Sequence, residues 1–324
     1  MNEAFARAYV HGIVLAPLAG WSDSAFRIIC REMGATAVVT EMVAAAGLSR
    51  RSVKTNRLLA FRKEEKPIGV QLFGKNPEDF VRASALVSSR GFDFIDINAG
   101  CPVRKVVRNG SGAALLGNIP LLAAIVAGVR SETRLPVTVK IRLGWSPKEP
   151  VPGSLPSILA DSGASALAIH GRYASDMFAG NVRVGKMAEL VSASPLPVVV
   201  NGDVKSRDDS ERLLNATGGS GVMVGRGALG NPWIFRSLAS GVDYRPCPEE
   251  VADTIRRQFR MMSEYVHENR LHHIIRGWLV HYLKGFDGAA ELRRKAVKVS
   301  TGDDLENLLG LLLERLKILE SMER

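Results

Sequence analysis

The sequence predicts a (β/α)8 barrel followed by a smaller all-helical domain. Three observations carry that prediction: eight short runs rich in Val and Ile, helix-patterned stretches between them, and an end to such runs near residue 243. Each run is short enough for a strand of a parallel sheet that is buried on both faces. Eight β–α units in about 240 residues is the size of a closed barrel. The chain has 324 residues, enough for that barrel and an appendage.

In order, the runs are GIVLAPLAG (12–20), TAVVTEMV (36–43), PIGVQLFG (67–74), FDFIDINAG (92–100), PVTVKIR (136–142), ALAIHGR (166–172), PVVVNGD (197–203) and GVMVGRG (221–227). PEDFVRASALVSSRG (77–91) and PLLAAIVAGVRSET (120–133) are examples of the helical patterns between them. The rival architecture is a doubly wound open sheet. Against it, the first run leads into APLAGWSD, not a GxGxxG turn. GVDYRPCPEE (241–250), with two prolines, reads as a linker. It divides the chain into a barrel, 1–242, and a helical domain, 243–324. The Leu-rich stripe in DLENLLGLLLERLKILESM reads as helix-bundle core.

Composition narrows the function. Hydrophobic residues make up 46% of the chain, but no run of about 18 uncharged apolar residues occurs, so no membrane span is expected. The opening MNEAFARAYVHGIV is broken by Glu3 and Arg7 and does not read as a secretory leader. Cys30, Cys101 and Cys247 are scattered, which suits neither a disulfide framework nor a metal site. The expectation is a cytoplasmic, metal-free monomer. The net charge of +10 points to a polyanionic partner, most simply a nucleic acid.

Active sites of barrels lie at the C-terminal ends of the strands, and alternate residues of each strand face inward. In the fourth run Ile95 and Ile97 suit the helix-facing side, so Asp96 and Asn98 point in. In the fifth, Val139 and Ile141 face the helices, so Lys140 and Arg142 point in. His170 is opposite in parity to Ile169, the seventh run ends in Asn201-Gly202-Asp203, and the second and third offer Glu41 and Gln71. Six strands with polar residues at one end predict a mouth that holds a polar ligand of some size. After the eighth run, GRGALGNP (225–232) leaves backbone N–H groups open at Gly225 and Gly227 and adds the charge of Arg226. The loops after strands seven and eight are a common phosphate site in barrels, which suggests a phosphate-bearing cofactor.

The combination APLAGWSDSAFR (16–27), TEMV (40–43), QLFG (71–74), DINAGCPVRKV (96–106), GAALL (112–116), PVTVKIRLGW (136–145), IHGR (169–172), NGD (201–203) and VGRGALGNPWIF (224–235) resembles the tRNA-dihydrouridine synthases. The likeness spans nearly all of the expected barrel. It implies an FMN-bound barrel with a helical C-terminal domain, which reduces the 5,6 double bond of particular uridines in tRNA with electrons from NADPH. By motif, Pro17, Leu18 and Ala19 would lie against the flavin. Gln71 and Lys140 would bond to its ring system, with His170 beside it. Asn201, Gly202, Asp203, Gly225 and Arg226 would hold the ribityl chain and phosphate. Asn98 would place the uracil, Cys101 would be the acid, and Arg104, Lys105, Arg172 and Arg276 would meet the RNA.

One scheme joins the two readings. Hydride goes from flavin N5 to C6 of uracil, and a proton at C5 quenches the charge left behind. A cysteine with an ordinary pKa is mostly thiol at neutral pH and can give that proton. Lys140 would stabilise the reduced anionic flavin. A uridine stacked in a folded tRNA cannot enter the mouth, so it must be flipped out. RRSVKTNR (50–57), Arg62 with Lys63, and RKVVR (104–108) would contact phosphates, as would residues 256–298, with ten Lys/Arg against four Asp/Glu. Three other functions remain open. They are a flavin-dependent reductase or dehydrogenase of a free pyrimidine, a Schiff-base aldolase with Lys140 as nucleophile, and an RNA-binding module that keeps flavin only for structure.

Overall fold

The computed structural model describes residues 3–286 and 288–322. Eight parallel strands close into a barrel in chain order: β1 (Ile13–Leu15), β2 (Ala37–Ala44), β3 (Ile68–Phe73), β4 (Phe94–Ala99), β5 (Val137–Arg142), β6 (Ala166–His170), β7 (Val198–Asn201) and β8 (Gly221–Val224). β1 pairs with both β2 and β8. Parity is as expected. Ile95, Ile97, Val137, Val139, Ile141, Leu167 and Ile169 are buried in the apolar layer between strands and helices. Phe94, Ala166, Ala168, Val199 and Met223 fill the barrel interior. This two-sided burial is what makes the runs near-continuously apolar.

The barrel floor is closed by a segment that periodicity alone does not reveal. Glu3–Phe5 and Ala6–Val10 form a short helical plug. The Phe5 ring stacks on Tyr9 at a centroid distance of 5.4 Å, and Tyr9 meets Phe94 edge-on at 4.8 Å. Phe94 in turn requires Gly69 on the neighbouring strand, because a Cβ there would lie 2.2 Å from its ring. With the floor filled by rings, the polar inward positions are left at the other end.

A small antiparallel hairpin, Gly144–Ser146 with Glu149–Pro150, follows β5 at the mouth. After β8 the described residues form only helices, of which Pro248–Ser263, Glu268–Tyr282, Ala289–Ala296 and Gly302–Met322 make up the tail. They share one continuous apolar cluster with the barrel. Trp278 is buried, with its ring 4.5 Å from Phe26 and 4.9 Å from Trp21, both near the start of the helix after β1. Among the described residues no helix is long and apolar enough to cross a membrane.

Candidate active site

The register of the sheet places polar side chains in successive layers. Gln71 is opposite Asp96, and Asp96 opposite Thr138. One layer higher, Asn98 is opposite Lys140, and above that Arg142 is opposite His170, which is opposite Asn201. Gln71 and Asp96 are fully buried, and Asn98 nearly so.

These groups form a directed chain. Gln71 Nε2 donates to Asp96 Oδ2 at 2.6 Å, and Thr138 Oγ1 donates to Asp96 Oδ1. Asn98 Nδ2 donates to Gln71 Oε1 at 2.8 Å. Asn98 Oδ1 then accepts from the backbone of Cys101 at 2.9 Å and of Gly100 at 3.2 Å. The strand thus ends in an Asx turn that fixes where the half-buried Cys101 begins. The carbonyl of Cys101 accepts from Ala113 N at 3.0 Å. Gly112 beneath it has φ +61°, and a Cβ there would lie 2.7 Å from that carbonyl, so GAALL seats the cysteine loop. Burial pushes the Cys101 thiol above its usual range, against smaller opposite effects from the Val103 backbone, Arg142 and Lys140. It is a thiol at neutral pH.

Lys140 Nζ donates to Asn201 Oδ1 at 3.0 Å, and Asn201 Nδ2 donates to Met223 O at 2.7 Å. Burial pulls the Lys140 ammonium down to about 8, with Asp96 opposing. Burial also lifts the Asp96 carboxyl to about 6, and hydrogen bonds from Thr138 and Gln71 pull the other way. His170 Nε2 lies 3.2 Å from Arg172 Nη1. A guanidinium can only donate, so Nε2 is the acceptor and Nδ1 carries the ring proton. Burial, with Lys140, Arg142 and Arg172 nearby, pushes the imidazole down to about 2, so it is neutral at any working pH.

Arg172 is buried and serves the fold. It donates to Ala179 O at 2.9 Å and Gly180 O at 2.7 Å, and pairs with Asp203. Arg142 donates to Tyr173 O at 2.8 Å. Asp203, at φ +51°, follows Gly202 at φ +142°, and its carboxylate lies 3.6 Å from Arg226. Gly227 packs so closely on Val204 that a Cβ would lie 2.0 Å from the Val204 carbonyl, which locks the GRG turn against NGD. A Cβ on Gly225 would meet nothing nearer than 3.8 Å, and among the described residues the N–H groups of Gly225 and Arg226 donate to no backbone carbonyl. Leu18, in the loop after β1, flanks Gly225, with Pro17 and Ala19 beside it. Leu18 N bonds to Ser22 Oγ at 2.9 Å.

Gln71, Asn98, Cys101, Lys140, His170, Asn201, Gly202, Asp203, Gly225 and Arg226 are therefore gathered at one mouth. Arg104 and Lys105 are exposed just beyond Cys101. Arg276 lies in the tail. It donates to Val299 O at 2.6 Å and lines a cleft of about 490 Å³ with Trp21, His273 and His281. Residue typing missed Thr138, an ordinary strand residue until its register against Asp96 is known. It also missed the exposed apolar groups Trp145, on the hairpin after β5, and Met177 and Phe178, on the loop after β6. Among the described residues no cluster of His, Cys, Asp or Glu could hold a metal ion.

The chain matches the family model described as "Dihydrouridine synthase (Dus)" over residues 14–317. It is 36% identical over 297 residues to "Probable tRNA-dihydrouridine synthase" of Aquifex aeolicus, across 90% of this chain and 93% of that one. It is 33% identical over 297 residues to "tRNA-dihydrouridine synthase B" of Xanthomonas axonopodis pv. citri, across 90% and 89%. Among solved structures, histamine dehydrogenase from Rhizobium sp. 4-9 aligns with a TM-score of 0.50 at 14% identity, over 77% of this chain and 48% of that one. That likeness concerns the fold alone.

Proposed function

Because the chain belongs to the dihydrouridine synthase family, we propose that it reduces the 5,6 double bond of particular uridines in tRNA, with FMN bound at the barrel mouth and NADPH as reductant. The observation that carries this reading is Cys101: a half-buried thiol, kept protonated by burial and held by its backbone at a mouth lined with hydrogen-bonding groups.

Support for FMN comes from the donors present. Gly225 leaves room beside unclaimed N–H groups, Arg226 adds a cation, and Lys140 uses one of its three donors on Asn201. Gly202, Asp203, Gly225 and Arg226 would hold the ribityl phosphate, with Pro17, Leu18, Ala19, Gln71, Lys140, His170 and Asn201 around the ring system. When bound, FMN supplies to uracil C6 the hydride it receives from NADPH. Cys101 then gives its Sγ proton at C5, which a thiol does without a base to activate it. Lys140 offers positive charge in a dry setting, where charge stabilisation is strong. Arg172 contributes by holding His170 in one tautomer and Asp203 in place. Asn98 fixes the edge at which the base and the thiol meet.

The substrate is read as RNA because the rim of the mouth is basic. Arg50, Arg51, Lys54 and Arg57 follow β2, Lys75 follows β3, and Arg104, Lys105 and Arg108 follow β4, all exposed. Trp145 and Phe178 offer surfaces on which bases could stack around a flipped uridine. A free pyrimidine would leave these groups without a role. The barrel, 1–242, would carry the chemistry, and the tail, 243–324, would help hold the tRNA through Arg276.

The experiment uses tRNA from cells that lack this protein. Purified protein should be yellow and bleach with NADPH, and dihydrouridine should appear in that tRNA. Cys101→Ala should keep its FMN and its bleaching while losing nearly all uridine reduction. No dihydrouridine from the parent protein sinks the reading, and turnover by Cys101→Ala at the parent rate sinks the acid assignment.

A further inference from the structure

The role given to Cys101 leaves one buried acid without a task. Asp96 is fully buried one layer below the cysteine loop and touches Gln71 and Thr138. A carboxylate can only accept hydrogen bonds, and a backbone N–H can only donate. The two amides of Gln71 and Asn98 connect these unlike ends. Turning Gln71 over would set its oxygen against the carboxylate and its NH2 against that of Asn98. Turning Asn98 over would set its NH2 against two backbone N–H groups. Turning both over leaves a clash at each end. One direction satisfies every bond, and buried polar groups left unsatisfied are costly.

We propose that Asp96 is the positioning residue of this site: through Gln71 and Asn98 it sets the direction of the amide chain that holds the backbone of Cys101, and so the place of the thiol. The inference rests on the reading of Cys101 as the acid. Thr138 is the second partner that makes Asp96 replaceable in a predictable way. In Asp96→Asn, Oδ1 still accepts from Gln71 while Nδ2 donates to the Thr138 hydroxyl, which turns from donor to acceptor. The chain keeps its direction although the charge is gone. Asp96→Leu removes the acceptor, which leaves the Gln71 NH2 buried without its partner and only Asn98 to hold Gln71. Both variants lose the negative charge beside Lys140, so the difference between them isolates positioning from electrostatics.

The test uses flavin-loaded protein carrying Cys247→Ser, which removes the exposed thiol, while Cys30 is buried. The two half-reactions, bleaching by NADPH and reoxidation by tRNA, are timed separately, and the rate of Cys101 alkylation by iodoacetamide is measured. Asp96→Leu should be reoxidised about tenfold to a hundredfold more slowly than Asp96→Asn, the scale of a displaced catalytic group, with KM for tRNA alike in the two. Alkylation should depart from the parent rate in Asp96→Leu and not in Asp96→Asn. Bleaching should be alike in the two. If Asp96→Leu does not fold, Asp96→Asn with Thr138→Val decides, since it strands the Asn amide and should behave as the Leu variant was expected to. Equal reoxidation and alkylation in the Asn and Leu variants, or in the Asn and double variants, overturn the proposal. A Cys101→Ala protein that still reduces tRNA at the parent rate overturns the acid assignment instead, a separate result.

Discussion

Burial acts on Cys101 and His170 in opposite senses and leaves both neutral. The thiol is pushed above its usual range and the imidazole is pushed down to about 2. Lys140, brought to about 8, and Asp96, lifted to about 6, are the groups of the mouth that titrate nearest working pH. Above neutral pH the ammonium loses its proton first, and the thiol loses the proton it must give only at higher pH. Flavin bleaching should therefore carry one alkaline limb near 8, from Lys140. Reoxidation by tRNA should carry that limb and a second, higher one from Cys101. Neither step should show a limb from His170, whose imidazole stays neutral throughout. Stopped-flow rates of each half-reaction against pH check this, and a reoxidation rate that rises through the alkaline range would mean thiolate, not thiol, is active. At this scale the sequence shows direction but not partnership. Strand parity points Asp96 inward, yet its bonds to Gln71 and Thr138 depend on the register between three strands, which local pattern does not encode.

Strands were the most legible elements, because burial on both faces leaves a Val- and Ile-rich signature. Departures from regularity were not. The register of β2 slips between Val39 and Met42, so that Met42 Sδ lies 3.1 Å from Asn98 Nδ2 and Glu41 accepts from Gly20 N in the loop after β1. That loop is fastened from behind by a buried ion pair. Arg27, in the helix Ser24–Glu32, donates to Glu65 Oε2 at 2.6 Å and to Ser22 O at 2.6 Å, and Glu65 Oε1 accepts from Arg62 N at 2.7 Å. Both side chains are almost wholly inaccessible. Removing one partner leaves an uncompensated buried charge, so Glu65→Ala should cost about 3–5 kcal/mol of stability, read as a lower urea midpoint. Ser22 also bonds Leu18, so the same variant should hold FMN less firmly, seen as faster flavin loss on dilution.

Over the whole molecule the sequence supplies the amount of charge but not where it is free. Three of the ten cations counted over 256–298 face carboxylates in the fold. Arg256 pairs with Glu306 and Asp253, Arg257 with Glu32, and Lys295 with Glu291. After β2, Arg62 pairs with Glu264 and Lys66 with Asp93, so neither is the free phosphate contact that the basic run suggests. Arg50, Arg51, Lys54, Arg57, Lys75, Arg104, Lys105 and Arg108 enter no salt bridge among the described residues and are exposed, so their field is available to a polyanion at the mouth. Each phosphate neutralised releases counterions, and binding then weakens with salt in proportion to the number of contacts. Replacing Arg104 and Lys105 together by Gln should lower the slope of log Kd for tRNA against log salt by about 1–2, and weaken binding at low salt, with flavin content unchanged. Replacing Arg256 by Gln should move the slope little, since its charge already faces Glu306 at 2.8 Å. Filter binding across a salt series measures both. A larger change from Arg256 than from the Arg104 and Lys105 pair would move the RNA-facing surface from the barrel rim to the tail.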